Sequence, residues 1–208
     1  MFEFRGYAIR RKDYTAGRFL VEQNIPFNDL HITSNLQAVA VRILSQPRPF
    51  KLCSLFLPPG RLFSAQQLKD LLHSLPPPVI LAGDFNSHNI IWGSDHVDER
   101  GKLVESFIDN CNLNIINNPI YQTHLCARSG KLSAIDLTIT SPLLQATTQW
   151  YTLDDTHGSD HFPIIIKTLN KCLSFSRHNK WLIRKADWPQ YQAAAKLSDI
   201  GLILTLTT

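Results

Sequence analysis

Three short stretches bring together side chains suited to hydrolysing a phosphate ester. Gly83-Asp84-Phe85-Asn86 follows directly on the apolar run Val79-Ile80-Leu81-Ala82. Residues two apart in an extended chain point the same way, so Asp84 and Asn86 present a carboxylate and a carboxamide to one spot. A carboxylate can orient or deprotonate water, and an amide can donate to a phosphate oxygen. A turn capped by Asp and Asn would use the same residues. In Ser133-Ala134-Ile135-Asp136-Leu137-Thr138 the apolar Ile135, Leu137 and Ile139 take one face, leaving Asp136 with Ala134 and Thr138 on the other. A carboxylate within such a strand is costly unless it is paired or hydrogen-bonded, or faces water at a sheet edge. Gly158-Ser159-Asp160-His161 places an acid beside an imidazole just before Phe162-Pro163-Ile164-Ile165-Ile166. Alone, that pair is as compatible with a loop as with a site.

Taken together they read more strongly. Carboxylates, an amide and a histidine, each at the end of an apolar strand, can converge on one rim of a sheet. Hard oxygen donors with little thiolate or imidazole suit Mg²⁺ or Mn²⁺ better than zinc. A hard cation beside a water-activating carboxylate is equipment for cutting a phosphate ester.

The elements that must position these groups follow from periodicity. Tyr7 to Arg11 and Phe19 to Glu22 read as short strands about a turn at Ala16-Gly17. Leu36 to Leu44 alternates, and Phe50 to Leu57 follows Gln46-Pro47-Arg48-Pro49, which predicts neighbouring antiparallel strands. Ser64 with Gln67 is a capping-box pair, and Leu68, Leu71, Leu72 and Leu75 mark one helical face ending at Pro76-Pro77-Pro78. Val79 to Ala82 predicts a central strand covered on both sides. A second helix is predicted from Glu99 to Cys111 with Asp98 as its N-cap. Leu113 to Ile116, Ala134 to Thr140, Gln149 to Leu153 and Phe162 to Thr168 read as strands. Many strands with two clear helices predict an α+β layered architecture, two sheets packed together with helices outside.

Composition limits the alternatives. The 208 residues are 44% hydrophobic and only 18% charged, which excludes disorder and a charged coiled coil. The net charge of +4 permits a polyanionic partner without requiring one. Met1 to Tyr14 has no apolar core of a signal peptide, and Ile200 to Thr208 is far short of the roughly 20 residues of a membrane span. A soluble protein is therefore expected. Cys53, Cys111, Cys126 and Cys172 show neither a disulfide framework nor zinc-ligand spacing, and read as reduced, mostly buried thiols of an intracellular protein. Beyond Leu169 the chain turns basic and aromatic, then apolar. Residues 1–169 are accordingly one domain, and 170–208 a connector and tail.

Leu-Pro-Pro at 57–59, Gly-Asp-Phe-Asn at 83–86, Trp-Gly at 92–93, Arg-Gly at 100–101, Ser-Ala-Ile-Asp-Leu at 133–137 and Ser-Asp-His-Phe-Pro-Ile at 159–164 occur in one order over some 160 residues. In that combination the chain resembles the endonuclease/exonuclease/phosphatase superfamily. Within it, the likeness is to the endonuclease domain of jockey-type non-LTR retrotransposons, and Lys-Ala-Asp-Trp at 185–188 resembles the connector toward the reverse transcriptase. The resemblance implies a four-layer α/β/β/α sandwich lacking its first strands. It implies a Mg²⁺-dependent endonuclease (Mn²⁺ as substitute) that nicks DNA, leaves a 3′-hydroxyl and works beside a reverse transcriptase domain in the nucleus, as a monomer and away from membranes. Asp84 would position the attacking water, Asn86 would hold the scissile phosphate, and Asp160 would bind the metal. His161, oriented by Asp136, would stabilise the developing charge. Thr123 and Ser133 would support the site or touch the DNA backbone.

Two departures from the family pattern lead to an expectation of weak or absent activity. The family's opening Asn and Glu strands have no counterpart here, and Glu3 and Glu22 lie in the wrong context. Phe56 stands where a Tyr hydroxyl reaches the phosphate, a hydrogen bond worth about 1.5–3 kcal/mol to a charged acceptor. Two other readings remain open. One is a phosphatase or sphingomyelinase-like hydrolase of the same fold. The other is a non-catalytic nucleic-acid-binding fragment that uses Arg10, Arg11, Lys12, Arg177, Lys180, Arg184 and Lys185 on phosphates and Trp181 on a base.

Overall fold

Val79-Ile80-Leu81 has no polar face to offer water, and the fold covers it on both sides. The computed structural model describes residues 7–11, 18–22, 25–169 and 171–172. Its strands and helices run β1 (Tyr7–Arg11), β2 (Arg18–Glu22), β3 (Phe27–Leu30), β4 (Gln37–Ile43), β5 (Ser45–Gln46), β6 (Phe50–Phe56), α1 (Ala65–Ser74) and β7 (Val79–Asp84). They continue with α2 (Glu99–Asn110), β8 (Asn114–Ile115), β9 (His124–Leu125), β10 (Leu132–Ser133), β11 (Asp136–Thr140), α3 (Pro142–Gln145), β12 (Thr148–Thr152), β13 (Ile164–Thr168) and β14 (Lys171–Cys172).

Six strands form the principal sheet in the order β3-β4-β6-β7-β11-β8. β7 lies at its centre, parallel to β6 and antiparallel to β11. On one face α1 and α2 cover Ala38, Ala40, Cys53, Leu55, Val79, Leu81, Leu137 and Ile139 with Leu68, Leu71, Leu75, Val104 and Phe107. Each such leucine taken out of water stabilises the fold by about 1.5–3 kcal/mol. Small alanines on β4 let the helices approach closely. The opposite face buries Val41, Ile43, Phe50 and Ile80 together with Leu144, and Ile166 of β13 packs on that cluster. The antiparallel β12–β13 pair is thus part of a second β layer, and the architecture is α+β, as the sequence predicts.

The helix boundaries follow the capping signals. Ser64 accepts from Gln67 N while Gln67 Oε1 accepts from Ser64 N, closing the capping box. Asp98 Oδ1 accepts from Gly101 N at the start of α2. β4 and β6 pair antiparallel, and so do β1 and β2. Phe27–Leu30 and the two-residue strands β9 and β10 were not anticipated. β3 carries Asn28-Asp29 at an edge, where two exposed polar residues erase the alternation. β9 and β10 owe their pairing to the site rather than to any apolar face. Among the three thiols whose burial is described, Cys53 is buried and Cys111 and Cys126 are half-buried, against the expectation of mostly buried cysteines. No helix of the described residues is long and apolar enough to cross a membrane. The connector and tail expected beyond residue 172, with their basic and aromatic side chains, lie outside the described residues.

Close packing makes a glycine indispensable next to Asp84. Gly83 has φ +143°, and a Cβ there would run into the backbone carbonyl of Leu55 on the neighbouring strand. Gly83→Ala is expected to lower unfolding stability by about 2 kcal/mol through strain and a forced strand shift, measured by urea denaturation.

Candidate active site

Strand register draws three residues into a row. Phe56 ends β6 opposite Asp84 at the end of β7, and Asp84 lies opposite Asp136 at the start of β11. Beyond Asp84 the chain turns. Asn86 takes the left-handed conformation at φ 46°, which asparagine tolerates better than most residues. This folds its side chain back, so that Asn86 Nδ2 donates to Asp84 Oδ2 at 2.7 Å and to Leu57 O at 3.2 Å. Both partners are pure acceptors, which fixes the amide orientation. Asn86 N also donates to Asp84 Oδ1 at 2.9 Å. In this conformation both amide hydrogens of Asn86 are engaged, by Asp84 and the Leu57 carbonyl, and donation to a phosphate would take one of them from these partners.

His161 Nδ1 lies 2.8 Å from Asp136 Oδ2, the carboxylate accepting from the ring. The remaining ring nitrogen, Nε2, is the one available to a substrate. Burial and the neighbouring Asp136 carboxylate push the Asp84 carboxyl up to about 6, against the pull of the Asn86 N–H groups. The hydrogen bond to Asp136 lifts the His161 imidazolium to about 8 despite burial, helped by the charges of Asp136, Asp84 and Asp160. Near neutral pH this gives an ionised carboxylate poised to accept a proton and a cationic imidazole poised to donate one, the pairing that acid–base chemistry needs.

Thr123, expected to support the site or touch the DNA backbone, is wholly buried. Its Oγ1 accepts from Ile135 N at 3.1 Å and Asp136 N at 3.0 Å, and its carbonyl accepts from Phe162 N. It ties the Asp136 strand to the His161 strand and has no surface to offer DNA. Thr123→Val, which leaves two buried N–H groups without an acceptor, is expected to cost about 2 kcal/mol of stability in a thermal melt. Ser133 Oγ lies 3.1 Å from His124 Nδ1, so Ser133 also orients a ring. Phe56 keeps its place beside Asp84 but brings no hydroxyl. Asp160, with its side chain 63% exposed, projects from the same rim beside His161.

Two contributors, Arg100 of the Arg-Gly pair and the N-cap Asp98, do more than the sequence reading gave them. Arg100 donates to the carbonyls of Leu57, Pro58, Arg61, Phe85 and Asn86, clamping the turn after Asp84 to the loop after β6. Arg100 lies outside the three strand-end stretches, and the Arg-Gly pair alone marked it. Asp98 accepts from His88 N as well as capping α2, fastening the same turn from the other side. His124 went unnoticed, because it sits in a strand of two residues with no pattern around it.

The donor chemistry, carboxylates beside imidazole, admits a divalent metal ion. Asp84, Asp136 and Asp160 offer carboxylate oxygens around His161, and Arg100, the cation near Asp84, spends its N–H groups on carbonyls. A cation would relieve the mutual repulsion that holds the Asp84 carboxyl high.

Compared with solved structures, the chain resembles the endonuclease domain of TRAS1, a telomere-specific non-LTR retrotransposon, with TM-score 0.69 and 22% identity over 80% of this chain and 81% of that one. It also resembles a 3′ phosphatase from Neisseria bound to product DNA hairpin, with TM-score 0.57 and 14% identity over 78% and 79%. The fold is that of the endonuclease/exonuclease/phosphatase proteins. In sequence it is 21% identical over 163 residues to a probable RNA-directed DNA polymerase from transposon X-element of Drosophila melanogaster, a match spanning 77% of this chain and 18% of that protein. The model of the endonuclease-reverse transcriptase family matches residues 50–165, and the chain belongs to that family.

Proposed function

We propose that the chain is the DNA-nicking endonuclease module of a non-LTR retrotransposon protein, hydrolysing a phosphodiester with Mg²⁺ and leaving a 3′-hydroxyl that primes reverse transcription. The observation that carries this reading is the meeting of Asp84, Asp136 and His161 at one strand-end rim. Asp160 would hold the metal, with Asp84 beside it. Bound there, a hard cation supplies Lewis-acid stabilisation of the phosphate's growing negative charge. Asp84, ionised above about 6, accepts the proton of the attacking water. Asn86 and Arg100 keep that carboxylate and its turn in place. His161 donates from Nε2 to a phosphate oxygen or the leaving 3′-oxygen, while Asp136 holds the opposite ring nitrogen and balances the cation.

We infer a slow catalyst. Phe56 brings no hydroxyl to the phosphate, and Glu99 and Glu105 are engaged elsewhere, with Lys102 and Asn89. DNA as substrate sets the working compartment as the nucleus, with the chain acting as a monomer and a polymerase domain of the same protein extending the nick. The test is supercoiled plasmid with Mg²⁺, followed by extension of the product with a DNA polymerase. Slow accumulation of open circles that prime synthesis, absent in Asp84→Ala, is the expected result. Open circles formed equally by Asp84→Ala, or phosphate release from inositol phosphates without any nicking, would overturn it.

A further inference from the structure

His124 is paired with His161 across an isolated antiparallel bridge. Two backbone bonds flank it, Leu125 N to Asp160 O at 2.7 Å and Phe162 N to Thr123 O at 2.8 Å. The two rings, 4.8 Å apart between centroids, are therefore positioned by main chain rather than by chance. Each ring has its Nδ1 occupied, His161 by Asp136 and His124 by Ser133. That leaves Nε2 on both as the metal-binding nitrogen, and an Nδ1 partner of this sort is what orients histidines in metal centres. Asp160 Oδ2 lies 4.0 Å from His124 Nε2. One ligand atom from each of His124, Asp160 and His161 falls within 4.8 Å of the others.

From this we infer a second metal site, formed by His124, His161 and Asp160, that selects a borderline divalent ion of the Zn²⁺ or Co²⁺ type. Two imidazoles and one carboxylate make a donor set that Mg²⁺ disfavours and Zn²⁺ prefers, with solvent completing a tetrahedron. Ligand atoms around tetrahedral zinc stand about 3.3 Å apart at bond lengths near 2 Å. Closing from the present spacing, within 4.8 Å, draws the exposed Asp160 side chain and the imidazoles together. Occupation takes His161 Nε2, the atom the hydrolytic reading assigns to the phosphate, and the Asp160 carboxylate it assigns to Mg²⁺, so this ion displaces the catalytic one and competes with catalysis. Binding itself stands apart from that reading and is measured without DNA.

The test uses the full 208-residue chain in excess Mg²⁺, titrated with Zn²⁺ by calorimetry and with Co²⁺ by visible absorption. One equivalent of Zn²⁺ and the intense bands of four-coordinate Co²⁺ are expected, with the imidazole ¹⁵N signals of His124 and His161 both shifting. His124→Ala should weaken Zn²⁺ binding at least about tenfold, and Ser133→Ala by about tenfold through the lost ring partner. Cys126→Ser, two residues along the same hairpin, should leave it unchanged. If His124→Ala melts early without metal, His124→Asn replaces it and the ¹⁵N shifts of the parent chain decide. Unaltered affinity in the His124 variant, loss of binding in Cys126→Ser, or shifts confined to other histidines would overturn the assignment.

Discussion

Asp84→Asn is expected to lower the nicking rate about 1,000-fold, within the range found when a positioned general base is removed. The substitution keeps the size of the side chain but loses the proton acceptor. It also puts an amide against Asn86 Nδ2, so the 2.7 Å contact that now holds the carboxylate can survive only by rotation. Stability should move in the opposite direction. The Asp84 carboxyl sits at about 6, above its ordinary 3.8, so its burial costs the fold progressively as pH rises through that interval. An amide carries no such cost. The variant should therefore be at least as stable as the parent at pH 7.5 and draw level with it near pH 4. Plasmid nicking and denaturant melts across pH measure the two effects. A variant both unstable at pH 7.5 and inactive would mean that Asp84 is structural.

Asp136→Asn should be the second most damaging change, slowing nicking about 100-fold at pH 8. Its hydrogen bond is the main reason the His161 imidazolium persists to about 8 rather than 6.5. With an amide in its place the ring loses its proton earlier, and the alkaline limb of the rate profile moves down by one unit or more. The parent should show a plateau between about 6, where Asp84 ionises, and about 8, where His161 discharges. Because the folded value lies above 6.5, protonated His161 stabilises the parent fully below that pH and ceases to do so as pH rises through 8. That part of the pH dependence should flatten in the variant. Nicking rates from pH 5.5 to 9, with the His161 Cε1 proton followed by NMR, check both limbs.

The reactive groups were legible because each closes an apolar strand. Asp84, Asp136 and His161 announce themselves through the runs beside them, and the alternation in those runs also predicts the central sheet. Residues that act at a distance carried no such mark. Arg100 gains its meaning from five carbonyls up to 43 positions away, which no local pattern encodes. Which of its two expected roles Thr123 takes, supporting the site or touching DNA, became plain only with its burial and its bonds to Ile135 N and Asp136 N. Asn86 was read for its donor capacity, yet a left-handed turn of its own backbone had already committed both hydrogens. His124 needed the chain to fold before Ser133 and Asp160 became its neighbours. Local pattern thus predicts where chemistry happens, and long-range packing decides which side chains are free to perform it.

The row Phe56, Asp84, Asp136 crosses three adjacent strands at one level. Neighbouring strands lie about 4.8 Å apart wherever a sheet forms, so the lateral gauge of the reactive groups is set by backbone hydrogen bonding and not by any loop. The largely exposed stretch 154–158 lies off these strands, so changes there leave that gauge as it is. The invariant ruler sits beneath a replaceable frame, and diversification of what is grasped needs no renegotiation of how it is cut.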